Sequence, residues 1–265
     1  MNKFFLKNKL TFIVGGAGTI GKEIVKLFAS AESKIIILDI NKQVSKDLIS
    51  KLDKVNVIFE YFDCSSKNIE KNFIKILNKY NCPDIFINCS YPLTKNWNQT
   101  SFSKISKKIL DENIILHLNS YAWLAKLVAE KMKQKKISGS IIQFGSIYGV
   151  LGQDLTVYKN TKMTANMPYS IIKGGIINLT RQMASFYGKN NIRINTICPG
   201  GIKEQVPGVI KTQEKNFIKN YSNKVPLGRL ADSQEISYSA LFLASEASSY
   251  ITGLTLMVDG GWSVI

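Results

Sequence analysis

The stretch VYKNTKMTANMPYSIIKGG, from Val157 to Gly175, holds two tyrosine and lysine pairs at one spacing, Tyr158 with Lys162 and Tyr169 with Lys173. On a helix, side chains four apart are neighbours on one face. An ammonium beside a phenol stabilises the phenolate and draws its pKa down from about 10. The tyrosine then becomes a proton donor or acceptor usable near neutral pH. Either pair alone also fits two ordinary surface residues, so the surrounding sequence has to choose between them.

A second chemical signal lies in VGGAGTIGKEIVKLF, where Gly16, Gly18 and Gly21 spell G-x-G-x-x-G directly after an apolar run and at the start of a helical pattern. In that setting backbone N–H groups and the helix dipole hold a pyrophosphate, and a Cβ would obstruct its approach. The next apolar run ends in Asp39, whose carboxylate can accept hydrogen bonds from both ribose hydroxyls of a dinucleotide. It would also repel a 2′-phosphate, and Ile40 and Asn41 supply no cation to hold one. The cofactor expected is NAD rather than NADP.

The elements that must position these residues are legible as alternating patterns. Leu10 to Val14, Lys34 to Asp39, Val55 to Tyr61, Asp84 to Asn88, Ser140 to Gly145, Ile192 to Ile197 and Leu254 to Val258 read as short buried strands. Helical periods lie between them, the clearest carrying Ile114, Leu118, Tyr121, Ala125, Val128 and Met132. Strands apolar on both faces, alternating with helices, predict an α/β doubly wound fold: a seven-stranded parallel sheet with helices on both faces, in one domain over 1–265. Ligands in such folds bind beyond the carboxyl ends of the strands.

Composition narrows the function classes. A chain of 265 residues with 45% hydrophobic content can bury a substantial core. No apolar run is long enough to span a bilayer, and MNKFFLKNKLTF, interrupted by Lys7 and Lys9, reads as the lead-in to a first strand rather than a signal peptide. Cys64, Cys82, Cys89 and Cys198 form no C-x-x-C pair and no metal-ligand spacing with the single His117. A reducing cytoplasm and no metal are expected. The net charge of +16 is scattered over helix surfaces. Its one cluster, Lys131 to Lys136, falls where a helix should end and complements the macrodipole. Neither nucleic acid nor membrane is expected as a partner; an anionic small-molecule substrate is.

Taken together, GGAGTIG, Asp63 after the third strand, INCSYP, IIQFGS, YSIIK, IRINTICPGGI, PLGRLADSQEI and YITGLTLMVDGGW resemble the short-chain dehydrogenase/reductase family over nearly the whole chain. In that family the active tyrosine and lysine lie on a long helix followed by a strand ending in Pro-Gly. Ile171 to Tyr187 supplies the helix, with Arg193 and Asn195 beyond it. Pro168 would interrupt a helix begun by the rival pair but fits a helix start. Against this, Tyr158 lies at the usual distance from Ser146, 12 residues, whereas Tyr169 lies 23 after it. An insertion over about 150–168 reconciles the two, with a substrate-side loop at about 201–230, and the catalytic pair is Tyr169 and Lys173.

The resemblance implies that Ser146 binds the substrate oxygen, that Tyr169 moves the proton, and that Lys173 lowers the phenol pKa and binds nicotinamide-ribose hydroxyls. It implies a cofactor site formed by Gly15, Gly18, Thr19, Ile20, Gly21, Asp39, Asp63, Cys64, Asn88, Tyr169, Lys173, Pro199, Gly200 and Ile202, and a homo-oligomer, tetramer or dimer, assembled through two long helices and the last strand. His117 stands where the family usually carries an asparagine that relays protons; a relay or a packing histidine both fit. Val14 and Thr19 also depart from the family's first turn. Within the family, GGAGTIGKE, INCSYP, LHL, SIYGV, the insertion ending near MPYSIIKGGI, PGGI and DGGW more loosely resemble oxidoreductases of flagellin modification and nonulosonic-acid surface glycans, which implies a sugar phosphate or nucleotide sugar, with Lys159 and Lys162 either meeting a phosphate or solvated. The alternatives are a 3-oxoacyl-carrier-protein reductase and, from another class, a non-catalytic nucleotide sensor, whose usual mark is loss of the tyrosine or lysine.

Overall fold

In the computed structural model, residues 3–52, 56–203 and 213–265 are described. The expected start of the third strand at Val55 and the middle of the loop at 201–230 lie outside them. Seven strands, β1 (Leu10–Val14), β2 (Lys34–Asp39), β3 (Val57–Tyr61), β4 (Ile85–Asn88), β5 (Ser140–Phe144), β6 (Arg193–Pro199) and β7 (Thr255–Val258), form one sheet in the order β3-β2-β1-β4-β5-β6-β7. Every pair is parallel. Because both faces are covered, alternate residues of one strand enter different cores. Phe12 and Val14 join Phe73, Leu124, Val128 and Met183 on one side. Ile13 joins Ile24, Phe28, Ile236 and Leu243 on the other.

The covering helices are α1 (Thr19–Ser30), α2 (Lys42–Ile49) and α8 (Ser233–Ala244) on the second side, and α3 (Ile69–Tyr80), α5 (Asn119–Lys135) and α6 (Met167–Tyr187) on the first. The long helical period predicted around Ile114 to Met132 is interrupted. A short α4 (Lys107–Asn113) passes into α5 through a π-helical turn, Ile114–Leu118, in which the Asn119 amide bonds the Ile114 carbonyl. The wider turn is a local disturbance that periodicity does not show, while His117 keeps the buried face four residues before Tyr121. At its far end α5 stops as expected at Lys135, with Lys136 left-handed at φ 55°.

The helix that carries Tyr169 and Lys173, α6, starts at Met167, as Pro168 at a helix start implies and four residues ahead of Ile171. Asn166 caps it by accepting from the Tyr169 amide, and Pro168 sits in its first turn, where a missing N–H costs nothing. Its approach to the end of β5 is close. A Cβ at Gly149 would lie 2.7 Å from the Lys173 carbonyl carbon and 2.7 Å from Ile177 Cδ1. The Gly149→Ala substitution is therefore expected to destabilise the protein by about 1 to 3 kcal/mol through overpacking against backbone. Urea denaturation of variant and parent checks this, and an unchanged midpoint would contradict it.

Candidate active site

At the carboxyl edge of the sheet, β1 and β4 part where the connections run to opposite faces, the place where α/β folds bind ligands. The β1 to α1 turn is pressed against the β4 end: Gly15 has φ +81° and an added Cβ would meet Ser90 Cα at 2.7 Å. Only glycine satisfies both conditions. Gly18 precedes α1 with no side-chain cap, and Thr19, Ile20 and Gly21 form its first turn. Asp39 ends β2 beside this turn. Its two carboxylate oxygens accept from the Ala17 and Asn41 amides, each at 2.9 Å. The cradle, the N-terminus of α1 and the fixed carboxylate fit a dinucleotide, and among the described residues no His/Cys/Asp/Glu cluster fits a metal.

The remaining cofactor candidates are brought to the same edge in different states. Asn88 ends β4 fully buried; its Oδ1 accepts from the Ser90 amide and hydroxyl, while its Nδ2 has no protein partner. Asp63 is spent on a turn, accepting from the Ser65 amide at 2.8 Å and hydroxyl at 2.5 Å. Burial pushes the neighbouring Cys64 thiol up to about 11. Pro199 ends β6, the Gly200 amide bonds Val258, and Ile202 bridges to Ala231.

A cleft of about 430 Å³ opens beside this edge, and both tyrosines of the opening motif line it. Their lysines differ. Tyr158 closes a 3₁₀ turn, Leu155–Tyr158, after which Lys159 is extended and Asn160 left-handed, so Tyr158 and Lys162 share no helical face. Lys162 lines the cleft; Lys159 does not. Lys173, by contrast, is 3% exposed one turn below Tyr169. Its Nζ donates to the Phe144 carbonyl at 2.8 Å, with the rings of Tyr121, Tyr169 and Tyr91 centred 5.4, 5.7 and 5.8 Å away.

Burial disfavours charge on both members of the pair. Desolvation raises Tyr169 to about 12, opposed by hydrogen bonding from Ser146, and lowers Lys173 to about 7. Ser146 is itself a turn cap, its Oγ accepting from the Tyr148 amide at 3.2 Å. His117 is 1% exposed, and neither ring nitrogen has a protein partner. Its ring lies 5.3 Å from those of Tyr91 and Tyr121. Burial, with the Lys173 charge added, holds its pKa well below the usual histidine value. Asn119, two residues on, is exposed and stays out of the site. Sequence reasoning missed Tyr91 and Tyr121; the first directly follows the β4 end in INCSYP, and the second stands four after His117.

Comparison with known proteins gives the same frame. Residues 15–263 match the family described as Enoyl-(Acyl carrier protein) reductase. Post-translational flagellin modification protein A of Campylobacter coli is 32% identical, over 98% of this chain and 100% of its own. The chain belongs to the short-chain dehydrogenase/reductase family. The 3-oxoacyl-[acyl-carrier-protein] reductase FabG of Chlamydia trachomatis is 31% identical over 97% of this chain and 98% of its own. A solved short-chain dehydrogenase from Leptospira borgpetersenii serovar Hardjo-bovis with bound NAD+ is 31% identical, with a TM-score of 0.82, covering 99% of this chain and 96% of that one. Members of this family are NAD(P)-dependent oxidoreductases, and this chain is one of them.

The lysine of this short-chain dehydrogenase makes stability depend on pH with a definite sign. Its folded pKa of about 7 lies below the ordinary 10.5, so between those values the unfolded chain binds more protons. Its destabilising effect is full below about 7 and is relieved as pH rises toward 10.5. Tyr169 acts oppositely, but only above about 10. Between pH 7 and 10 the stability of the parent should therefore rise relative to that of Lys173→Met by at most about 1.4 kcal/mol per pH unit, and its melting temperature should rise with it. Parallel melting curves across that range in differential scanning calorimetry would refute it.

Proposed function

We propose that the protein uses NAD to move a hydride at a carbonyl or alcohol carbon of a sugar phosphate or nucleotide sugar in bacterial surface-glycan biosynthesis. The cleft carries this reading. Behind Ser146 and Tyr169 its walls are rings, among them Tyr91, Trp97, Tyr158 and Phe217, with amides and hydroxyls between them; Lys162 is the one cation, and there is no carboxylate, among the described lining residues. Such a surface stacks on a ring, bonds hydroxyls and accepts an anionic group. The likeness to flagellin modification protein A along the whole of both chains supports the same class.

When bound, NAD supplies the hydride acceptor or donor. Gly15 and Gly18, whose own amides bond Leu38 and Gly15, would leave room for its pyrophosphate, the first-turn amides of Thr19, Ile20 and Gly21 would hold it, and Asp39 would accept from its adenosine ribose. Asp63, Cys64, Asn88, Pro199, Gly200 and Ile202, at the same edge of the sheet, would complete its site. Ser146 donates to the substrate oxygen on which charge develops. Tyr169 takes the hydroxyl proton in oxidation and returns one in reduction. Burial alone favours a neutral phenol and a neutral amine; a proton passed from Tyr169 to Lys173 makes an ion pair whose attraction offsets the desolvation. His117, neutral, has one donor and one acceptor without protein partners, the equipment for holding water beside Lys173 and passing protons along it. The insertion at 150–168 forms the outer wall of the cleft, in which Lys162 meets the anionic group. Exposed Trp123, Phe186 and Ile265 support assembly of a homo-oligomer through α5, α6 and the segment after β7.

Purified protein with NAD and a panel of sugar phosphates and nucleotide sugars, followed by absorbance of the reduced cofactor, tests the substrate class. Turnover of acetoacetyl carrier protein instead would assign the carrier-bound reading. Calorimetry should give a lower Kd for NAD than for NADP; equal values would remove the argument from Asp39. Tyr169→Phe should lower kcat by roughly 10² to 10⁴ with NAD affinity nearly intact, whereas Tyr158→Phe should act mainly on KM, with kcat falling less than about tenfold. The reverse pattern would exchange the two tyrosines' roles.

A further inference from the structure

The insertion is attached on both sides. Toward α7 (Lys215–Ser222) and the residues flanking it, Lys224 pairs with Asp154 at 2.5 Å. The Asn220 amide donates to the Val157 and Lys159 carbonyls, Asn216 donates to the Asn160 carbonyl, and Glu214 accepts from the Lys162 amide. The Tyr158 ring lies nearly parallel to Phe217, at 16°. The outer wall of the cleft thus belongs to α7 as much as to its own loop.

Toward α6 the attachment runs through one side chain. Gln153 Nε2 donates to the Asn166 carbonyl at 2.9 Å and to Ser170 Oγ at 3.2 Å. Its Oε1 accepts from the Asn166 amide at 3.1 Å and from the Tyr158 hydroxyl at 3.4 Å. Two donors and two acceptor sites are all an amide has, and all four are used inside the protein. Asn166, held this way, caps α6 at the Tyr169 amide, and its Nδ2 donates to Thr100 Oγ1 at 2.6 Å. No carboxylate, thioether or shorter amide could make the same four bonds.

We infer that Gln153 is a positioning residue: it ties the α7-docked wall of the cleft to the first turn of the helix carrying Tyr169, so that wall and proton donor are set by one side chain. The inference rests on Tyr169 as the proton donor. A substrate group bonded to Tyr158 then acts on a hydroxyl that shares its acceptor with the cap of the catalytic helix, and the fit of the substrate in the wall is transmitted to the reacting tyrosine.

The test uses Gln153→Met, which keeps length and removes all four bonds, and Asp154→Asn, which loosens only the α7 side. Amide hydrogen exchange is read at Tyr169, together with the ¹⁹F resonance of 3-fluorotyrosine at that position, assigned with Tyr169→Phe. Gln153→Met should lose roughly tenfold or more protection at the Tyr169 amide and shift its resonance, with sheet amides and NAD affinity unchanged. With a substrate from the panel, kcat should fall more than KM changes. Asp154→Asn should leave the Tyr169 signals in place. Unmoved Tyr169 signals in Gln153→Met, or equal loosening in Asp154→Asn, would overturn the inference. If Gln153→Met does not fold, Gln153→Glu, which loses both donors, is read the same way. These signals need no substrate, so they stand or fall separately from the sugar reading, and activity of Tyr169→Phe separately tests the proton-donor premise.

Discussion

A lysine only 3% exposed with a single hydrogen bond, from Nζ to the Phe144 carbonyl, is the arrangement on which the rest of the structure depends. An ammonium taken out of water is costly, and at about 7 the Lys173 pKa shows how much of that cost remains unpaid by the protein alone. The bond requires α6 to lie close against the end of β5. That closeness excludes a side chain at position 149, where glycine leaves room for the Lys173 backbone. It also fixes Tyr169 above the lysine and beside Ser146. Glycine, serine, tyrosine and lysine are therefore one packing problem, solved together.

The sheet supplies the second half of the site by a different physical route. Parallel strands buried on both faces put all their carboxyl ends on one edge, and the change of winding between β1 and β4 opens that edge. Gly15 against Ser90 and Asp39 against Ala17 hold the first turn to its neighbours. Tyr121, fully buried, reaches from α5 to the Ser90 carbonyl at 2.8 Å and joins this half to the lysine's surroundings. The Gly-rich turn and the Tyr169 and Lys173 pair are consequently joined through Tyr121.

Asn88 Nδ2, both nitrogens of His117 and both polar atoms of Gln143 are buried without protein partners. A buried polar group left unpaired costs free energy, so these positions weaken the core rather than build it. His117 stands four residues before Tyr121 on the buried face, while Asn119, two residues on, remains in solvent.

What the sequence by itself determined was whatever depends on local pattern. Every strand of the sheet was legible because strands covered on both faces are mainly apolar, with Gln143, Asn195 and Thr196 as buried polar exceptions. The Gly-rich turn, Asp39 and the Tyr169 to Lys173 spacing were legible because each needs a particular residue type at a particular offset. The tertiary structure alone decided which other groups reach those residues. Pro168 announced the start of α6, but the holding of its cap Asn166 by Gln153 and Thr100, contacts 13 and 66 residues apart in sequence, was not legible. The rings around Lys173 come from β4, α5 and α6, and no spacing announces that they meet. The π turn before α5 was likewise not legible, although His117 faces inward four residues before Tyr121, where helical periodicity puts it. Local pattern reflects which surfaces must be buried; the partners that bury them are chosen by the packing of distant segments, and there the sequence is silent.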